Sequence, residues 1–297
     1  MGAGTYVVAV SGGVDSMVLL DVLRQRPGLK LVVAHYDHGM RLGSAADRQL
    51  VQDVSHRHGL QFVHEAGHLG TGTSEAKARV ARYRFLRSVQ AASGARAIIT
   101  AHHQDDVLET AIMNLLRGSG RRGLTSLKSQ ADLLRPLLPY SKEQLRDYAR
   151  AHHLEWHEDP TNADTAYQRN YVRLNILPKF SDGQRAQLLI LLEQAAERND
   201  ELETHLTSLL HTQPALDTLK RAWFIRLPHA VAQEVVHTWL RRHGVRDVTR
   251  KMVERLVVKM KTARASQQID VDRQHVLDIR RDSLHLRSRA AIGTRLA

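Results

Sequence analysis

Short β-branched runs alternate with helix-period stretches through the first half of the chain. This alternation constrains the fold more than any other feature. Residues 6–10, 31–34, 61–64 and 97–100 read as strands, and residues 16–23, 46–58, 75–92 and 106–116 read as the helices after them. Strands joined through helices run parallel in one sheet, and such a sheet is covered on both faces. The sequence therefore predicts an α/β domain built on an open parallel sheet. Ser141 with Gln144 three residues on is a capping-box signature, opening a helix over residues 142–152. Ser181 and Gln184 repeat the signature and open a helix to about residue 210. The chain then reads as helical to about Lys261, and residues 267–288 predict a small terminal β-hairpin. The expected division is a catalytic domain over residues 1–180 and a mainly helical domain over 181–297, which suits a 297-residue chain.

Ser11-Gly12-Gly13-Val14-Asp15-Ser16 lies directly after the first strand and directly before the first helix. A glycine pair lets the backbone turn sharply and bring N–H groups close to a phosphate. The following helix aims its positive N-terminus at the same place. Asp15 is out of place in an anion site unless a divalent cation accompanies the phosphates, which points to Mg²⁺. The chain has no Gly-Lys-Ser/Thr, so this is not the usual phosphate loop of ATPases. A second cluster, from Ala101-His102-His103 to Asp106 and Glu109, ends the fourth strand and opens a helix. Asp106 and Glu109 share a helical face and suit a divalent metal or an ammonium group. An alternative has Asp105 as N-cap, with Asp106 and Glu109 as first-turn acids favoured by the helix dipole. His35-Tyr36-Asp37-His38-Gly39-Met40-Arg41 follows the second strand, at the same sheet edge.

Lys plus Arg number 43 against 31 Asp plus Glu, a formal charge of +12. That excess fits a polyanionic partner, nucleic acid before membrane. Arg79, Arg82, Arg84 and Arg87 crowd one helix, and Arg117, Arg121 and Arg122 flank a Gly-rich loop. The chain contains no cysteine, so it supplies neither a thiolate nucleophile nor a persulfide carrier. No apolar run is long enough to span a bilayer and no leader pattern opens the sequence, so a cytoplasmic location is expected.

The Ser-Gly-Gly-x-Asp-Ser loop resembles that of the ATP pyrophosphatases, which cleave ATP between its α- and β-phosphates. Within that superfamily the ordered set of motifs is similar to the tRNA(Ile)-lysidine synthetase family. The set includes the loop over residues 35–41, Ala78-Arg79 with Arg82-Tyr83, and the cluster from His102 to Thr110. Further along stand Arg117-Gly118-Ser119-Gly120, Arg135-Pro136-Leu137-Leu138 and Glu158-Asp159-Pro160-Thr161-Asn162, then Arg169-Asn170 and Arg173. The resemblance covers about residues 6–180. Asp37 stands where that family usually shows Asn, and Ala101 where Gly is common.

The resemblance implies an adenine-nucleotide α-hydrolase-like sheet and a two-step ligation. The wobble cytidine of a CAU-anticodon isoleucine tRNA is adenylated by ATP, then free L-lysine displaces AMP at C2. It implies Ser11, Gly12, Gly13, Val14, Asp15 and Ser16 at ATP, and Mg²⁺ at Asp15 with Asp106 as a second ligand. Asp106 and Glu109 would select lysine, with metal binding as the rival role. Arg169 and Arg173 would stabilise phosphate charge or hold tRNA. A homodimer is left open. The competing readings are another tRNA-modifying ATP pyrophosphatase and a non-catalytic RNA-binding protein on the same fold.

Overall fold

The computed structural model describes residues 1–39, 44–67, 73, 75–158 and 168–289. The chain opens with β1 (Gly4–Ala9), α1 (Val14–Arg24), β2 (Leu29–Asp37), α2 (Ser44–Arg57), β3 (Gln61–Ala66), α3 (Glu75–Ser93), β4 (Ala97–Ile99) and α4 (Gln104–Leu116). The short α5 (Arg121–Leu124), β5 (Leu133–Leu134), α6 (Lys142–Ala151) and α7 (Gln168–Tyr171) follow. A π turn (Val172–Ile176) and a 3₁₀ turn (Leu177–Lys179) lead into α8 (Asp182–His211). Both capping boxes form: Ser141 N–H donates to Gln144 Oε1 at 2.8 Å, and Ser181 N–H to Gln184 Oε1 at 2.9 Å.

The five strands pair in parallel in the order β3-β2-β1-β4-β5. Alternate residues of β1 face opposite sides. Val8 packs with Leu19 and Leu20 of α1 and Val51 of α2, whereas Val7 packs with Phe85 and Leu86 of α3. The period-two alternation of the strand thus builds two cores. The edge strand β5 was not expected, because two residues carry no periodicity. From β1 the chain moves outward through β2 and β3, then returns to β1's other side for β4 and β5. A crevice opens beyond the C-terminal strand ends where the order reverses. The loops after β1 and β4 flank that crevice.

The chain divides into two compact units, Met1–Ala196 and Glu197–Ala297. The expected division at residue 180 followed the punctuation of Pro178 and Ser181, and the compact units divide 16 residues later, inside α8. Leu188, Leu189 and Leu192 of α8 pack with Leu108 and Met113 of α4 and Val172 of the π turn, so the start of α8 belongs to the first unit. The second unit holds the rest of α8, β6 (Thr218–Lys220), α9 (Arg221–Arg226), α10 (His229–Arg242), α11 (Arg250–Thr262), β7 (Gln267–Asp270), β8 (His275–Ile279) and β9 (Ser283–Ser288). The expected hairpin is β8–β9, but it sits inside a four-stranded antiparallel sheet of order β6-β9-β8-β7. The strand β6 was hidden in helical text because it is three residues long. Its Leu219 is buried with Phe224, Trp239, Leu256, Ile279 and Leu284 in the unit's large core. Among the described residues, no helix is long and apolar enough to cross a membrane.

Candidate active site

The loop after β1 is braced from within and from outside. Ser16 Oγ donates to the Gly13 carbonyl at 2.8 Å and accepts from Ser11 N–H at 3.1 Å. Its hydroxyl, expected on a phosphate, is here turned into the loop. Gly12 has φ +92°, a left-handed conformation, and a Cβ there would meet Asp47 Cβ at 3.3 Å. Asp47 of α2 accepts from His157 Nδ1 at 2.8 Å, and His157 N–H donates to the Gly12 carbonyl at 3.0 Å. Gly13 is different: it is the N-cap of α1 with an ordinary φ of −77°. Val14 and Asp15 begin α1, where the leading N–H groups precede the first bonds to the Gly13 carbonyl, made by Ser16 and Met17.

A chain of alternating basic and acidic side chains runs from this loop to α7. Lys142 Nζ, at the start of α6, donates to Asp15 Oδ1 and Oδ2 at 2.7 and 2.6 Å. His103 Nε2 lies 3.7 Å from Asp15 Oδ2 and 3.5 Å from Asp106 Oδ2. Arg169 Nη2 donates to Asp106 Oδ1 at 3.0 Å, and Arg169 Nε to Glu109 Oε2 at 2.7 Å. Arg173 Nε and Nη2 donate to the two Glu109 oxygens at 2.6 and 3.1 Å. Glu109 is fully buried, and two guanidinium groups hold it. The expected acidic pair is therefore present on one face of α4, but both of its members are engaged with arginines.

The N-cap of α4 is His103 rather than Asp105. Its N–H donates to Asp106 Oδ2 at 2.9 Å, so Asp106 closes the helix N-terminus as well as facing the crevice. Burial raises the Asp106 pKa, but the charges of His103 and Arg169 outweigh it and hold the carboxyl below the usual range. Burial lowers the Arg173 pKa, but its bond to Glu109 more than compensates and keeps the guanidinium firmly charged. His102, bonded through Nδ1 to Thr100 Oγ1 at 2.8 Å, is pushed down to about 3 by burial. Its imidazole is neutral at physiological pH.

Asp15, His102 and Asp106 border a cleft of 360 Å³, lined also by Ser11 and Ser16, by Ala34 to His38 at the end of β2, and by Arg82. That size suits a small-molecule ligand. All three expected clusters reach it. Met40 and Arg41 lie outside the described residues, as do Asp159, Pro160, Thr161 and Asn162. Arg79 and Arg82 flank Tyr83, with guanidinium carbons 4.8 and 5.5 Å from the ring centroid. Arg87, expected in a basic stripe, pairs with Asp132 at 2.8 Å.

Sequence reasoning missed Lys142, Asp47 and His157. Each meets the loop from a distant segment, and no local pattern marks such a contact. Among the described residues, no group of three or more His, Cys, Asp or Glu is placed to hold a metal. Two carboxylates, Asp15 and Asp106, do converge on the His103 Nε2 position. A two-carboxylate site suits Mg²⁺, which keeps several waters and shares its substrate's phosphates.

A parallel sheet with a glycine turn and a helix N-terminus at its switch point defines an α/β phosphate-binding protein. The chain belongs to the PP-loop domain family, which matches residues 1–180. It is 37% identical over 257 residues to a tRNA(Ile)-lysidine synthase of Thermus thermophilus, covering 82% of this chain and 50% of that protein. It is 38% identical over 205 residues to the enzyme of that name from Exiguobacterium sibiricum, covering 67% of this chain and 49% of the other. The chain thus spans about half the length of these relatives. Among solved structures, a U34-tRNA thiolase from Methanococcus maripaludis shares the fold, with a TM-score of 0.54 and 18% identity, covering 66% of this chain and 74% of that one.

Proposed function

We propose that this chain carries out ATP-dependent ligation of lysine to C2 of the wobble cytidine of a CAU-anticodon isoleucine tRNA. The reaction passes through an adenylated cytidine and releases pyrophosphate and AMP. The observation that carries this reading is that Asp15, in the first turn of α1, and Asp106 lie 3.7 and 3.5 Å from His103 Nε2 at the edge of the cleft. Carboxylates at an anion-binding turn are useful where a cation travels with the phosphates. Asp15 and Asp106 would hold Mg²⁺, which when bound neutralises charge on the departing pyrophosphate. The names of the similar bacterial enzymes support the tRNA and lysine assignments.

The chain's own residues divide the work. The turn from Ser11 to Val14 and the α1 N-terminus hold phosphates, while Ser16 keeps the turn in shape. Lys142, already beside Asp15, adds a cation at the same point. Glu109 fixes Arg169 and Arg173, so that their remaining N–H groups meet phosphate or tRNA in a set orientation. Lysine recognition falls to Asp106 and Glu109. Because guanidinium groups fill the Glu109 acceptors, an incoming ammonium must displace one of them. The +12 charge and the Arg79–Tyr83–Arg82 cluster support contact with the tRNA backbone. The mainly helical region expected over residues 181–297 serves as a tRNA-binding module in this reading.

The test is mass analysis of the tRNA nucleosides after incubation with ATP and isotopically labelled lysine. One cytidine should gain a labelled lysyl group with one pyrophosphate released per modification. Tight tRNA binding without pyrophosphate release would instead support a non-catalytic RNA-binding protein.

A further inference from the structure

His35 stands at the C-terminal end of β2 and is 3% exposed. Its Nδ1 lies 2.9 Å from the carbonyl of Val10, the residue immediately before the phosphate-binding turn. A carbonyl only accepts, so Nδ1 carries the proton and Nε2 presents a lone pair. Burial lowers the His35 pKa, which keeps this tautomer neutral. Nε2 is itself buried and has no hydrogen-bond partner, although the ring lines the 360 Å³ cleft. A buried acceptor without a donor is costly, and native structures keep few of them. The bond to Val10 uses the other ring nitrogen and leaves Nε2 to a ligand.

We infer that His35 Nε2 accepts a hydrogen bond from a neutral donor on the nucleoside half of the nucleotide, making His35 a specificity-determining residue. The inference rests on the ATP reading above. The residues of the phosphate turn and Ala34 and His35 line the same cleft, so with phosphates on the turn the group reaching Nε2 belongs to the rest of the nucleotide. Two donors have the required chemistry, a ribose hydroxyl and the adenine 6-amino group. The ring hangs from the root of the turn, which favours the ribose.

Equilibrium binding of ATP, 2′-deoxy-ATP, 3′-deoxy-ATP and inosine triphosphate to the full chain and to His35→Phe tests this. The wild type should bind one of the three analogues about 10-fold more weakly than ATP, and His35→Phe should bind ATP and that analogue equally. A weakened deoxy analogue assigns the ribose, and weakened inosine triphosphate assigns the amino group. Equal discrimination by both proteins overturns the inference. Should His35→Phe fail to fold, the ¹⁵N resonance of His35 Nε2 in the wild type decides. It should move upfield on adding ATP and stay in place on adding pyrophosphate, and no ATP-specific movement overturns the inference. If the wild type binds pyrophosphate but no nucleotide, the ATP reading itself fails.

Discussion

Lys142 Nζ sits between the two carboxylate oxygens of Asp15, 127 residues away in sequence, at 2.7 and 2.6 Å. Both side chains are partly exposed, so the pair contributes about 1 kcal/mol or less to stability. Its value lies in where it puts a positive charge. Lys142→Met should leave the folded structure intact and slow pyrophosphate release about 100-fold, as loss of one group on a developing anion does. Asp15→Asn should stop release altogether. Rapid-quench assays with radiolabelled ATP measure both. Unchanged release in either variant removes that residue from the phosphate chemistry.

The two loop glycines should respond differently. Gly12→Ala places a Cβ at φ +92° and 3.3 Å from Asp47, so it should cost about 1–2 kcal/mol and weaken nucleotide binding. Gly13→Ala adds a Cβ whose nearest neighbour, Ser11 Oγ, is 3.6 Å away at an ordinary φ of −77°. It should be nearly neutral for folding. Urea unfolding of the two variants side by side provides the comparison.

Removing charge from Glu109 leaves two guanidinium groups facing a neutral side chain. Glu109→Gln should therefore destabilise the protein by about 3–5 kcal/mol, the usual cost of breaking a buried ion pair from one side. Arg173→Met should cost less, because Arg169 still holds Glu109. If Glu109→Gln unfolds at the wild-type urea midpoint, the clamp carries no stability.

Burial holds His102 at about 3 and lowers the pKa of His35, against 6.5 when unfolded. Below pH 6.5 the unfolded chain takes up protons that the folded chain refuses. Stability should thus be full above pH 6.5 and fall as pH drops toward 3. His102 faces Asp106, Arg135, Arg82 and Arg79, and His102→Gln should flatten the slope in that window. Urea midpoints measured from pH 7 to 4 give the slope. An identical pH profile in the variant rules out a contribution from His102.

The basic surface should make tRNA binding depend on salt. Neutralising about six phosphates gives a log–log slope near −5. A flat affinity between low and moderate salt would assign the +12 charge to something else.

The parts of the fold that were legible in the sequence were long or periodic. The helix expected over residues 75–92 is α3 (Glu75–Ser93), whose Ala78, Phe85, Leu86 and Val89 recur at helical spacing and are buried. The clusters at Asp15, Asp106 and His35 were legible because strand-end loops are short and lie next to their strands. Lys142 was read only as the first residue of a capped helix, since α6 meets α1 through tertiary packing. The engagement of Glu109 by Arg169 and Arg173 was equally hidden, because helical spacing shows which face a carboxylate shares, not what comes to cover it. The strands β5 and β6 exist by pairing with neighbours rather than by their own pattern. The compact units divide inside α8 rather than at its start, because local stop signals say nothing about where leucines pack.

The adjacency of β1 and β4 also bears on how the molecule reaches its native state. Tyr6 pairs with Ala97, 91 residues later, so the two halves of the crevice meet only after a long loop closes. A chain that has emerged only as far as α3 holds the glycine turn but not the carboxylates and histidine that oppose it. If ATP needs both halves of the crevice, as the proposed function requires, it draws the folding equilibrium forward only after this pairing. Acquisition of binding competence during refolding is therefore a direct clock for closure of the β1–β4 loop.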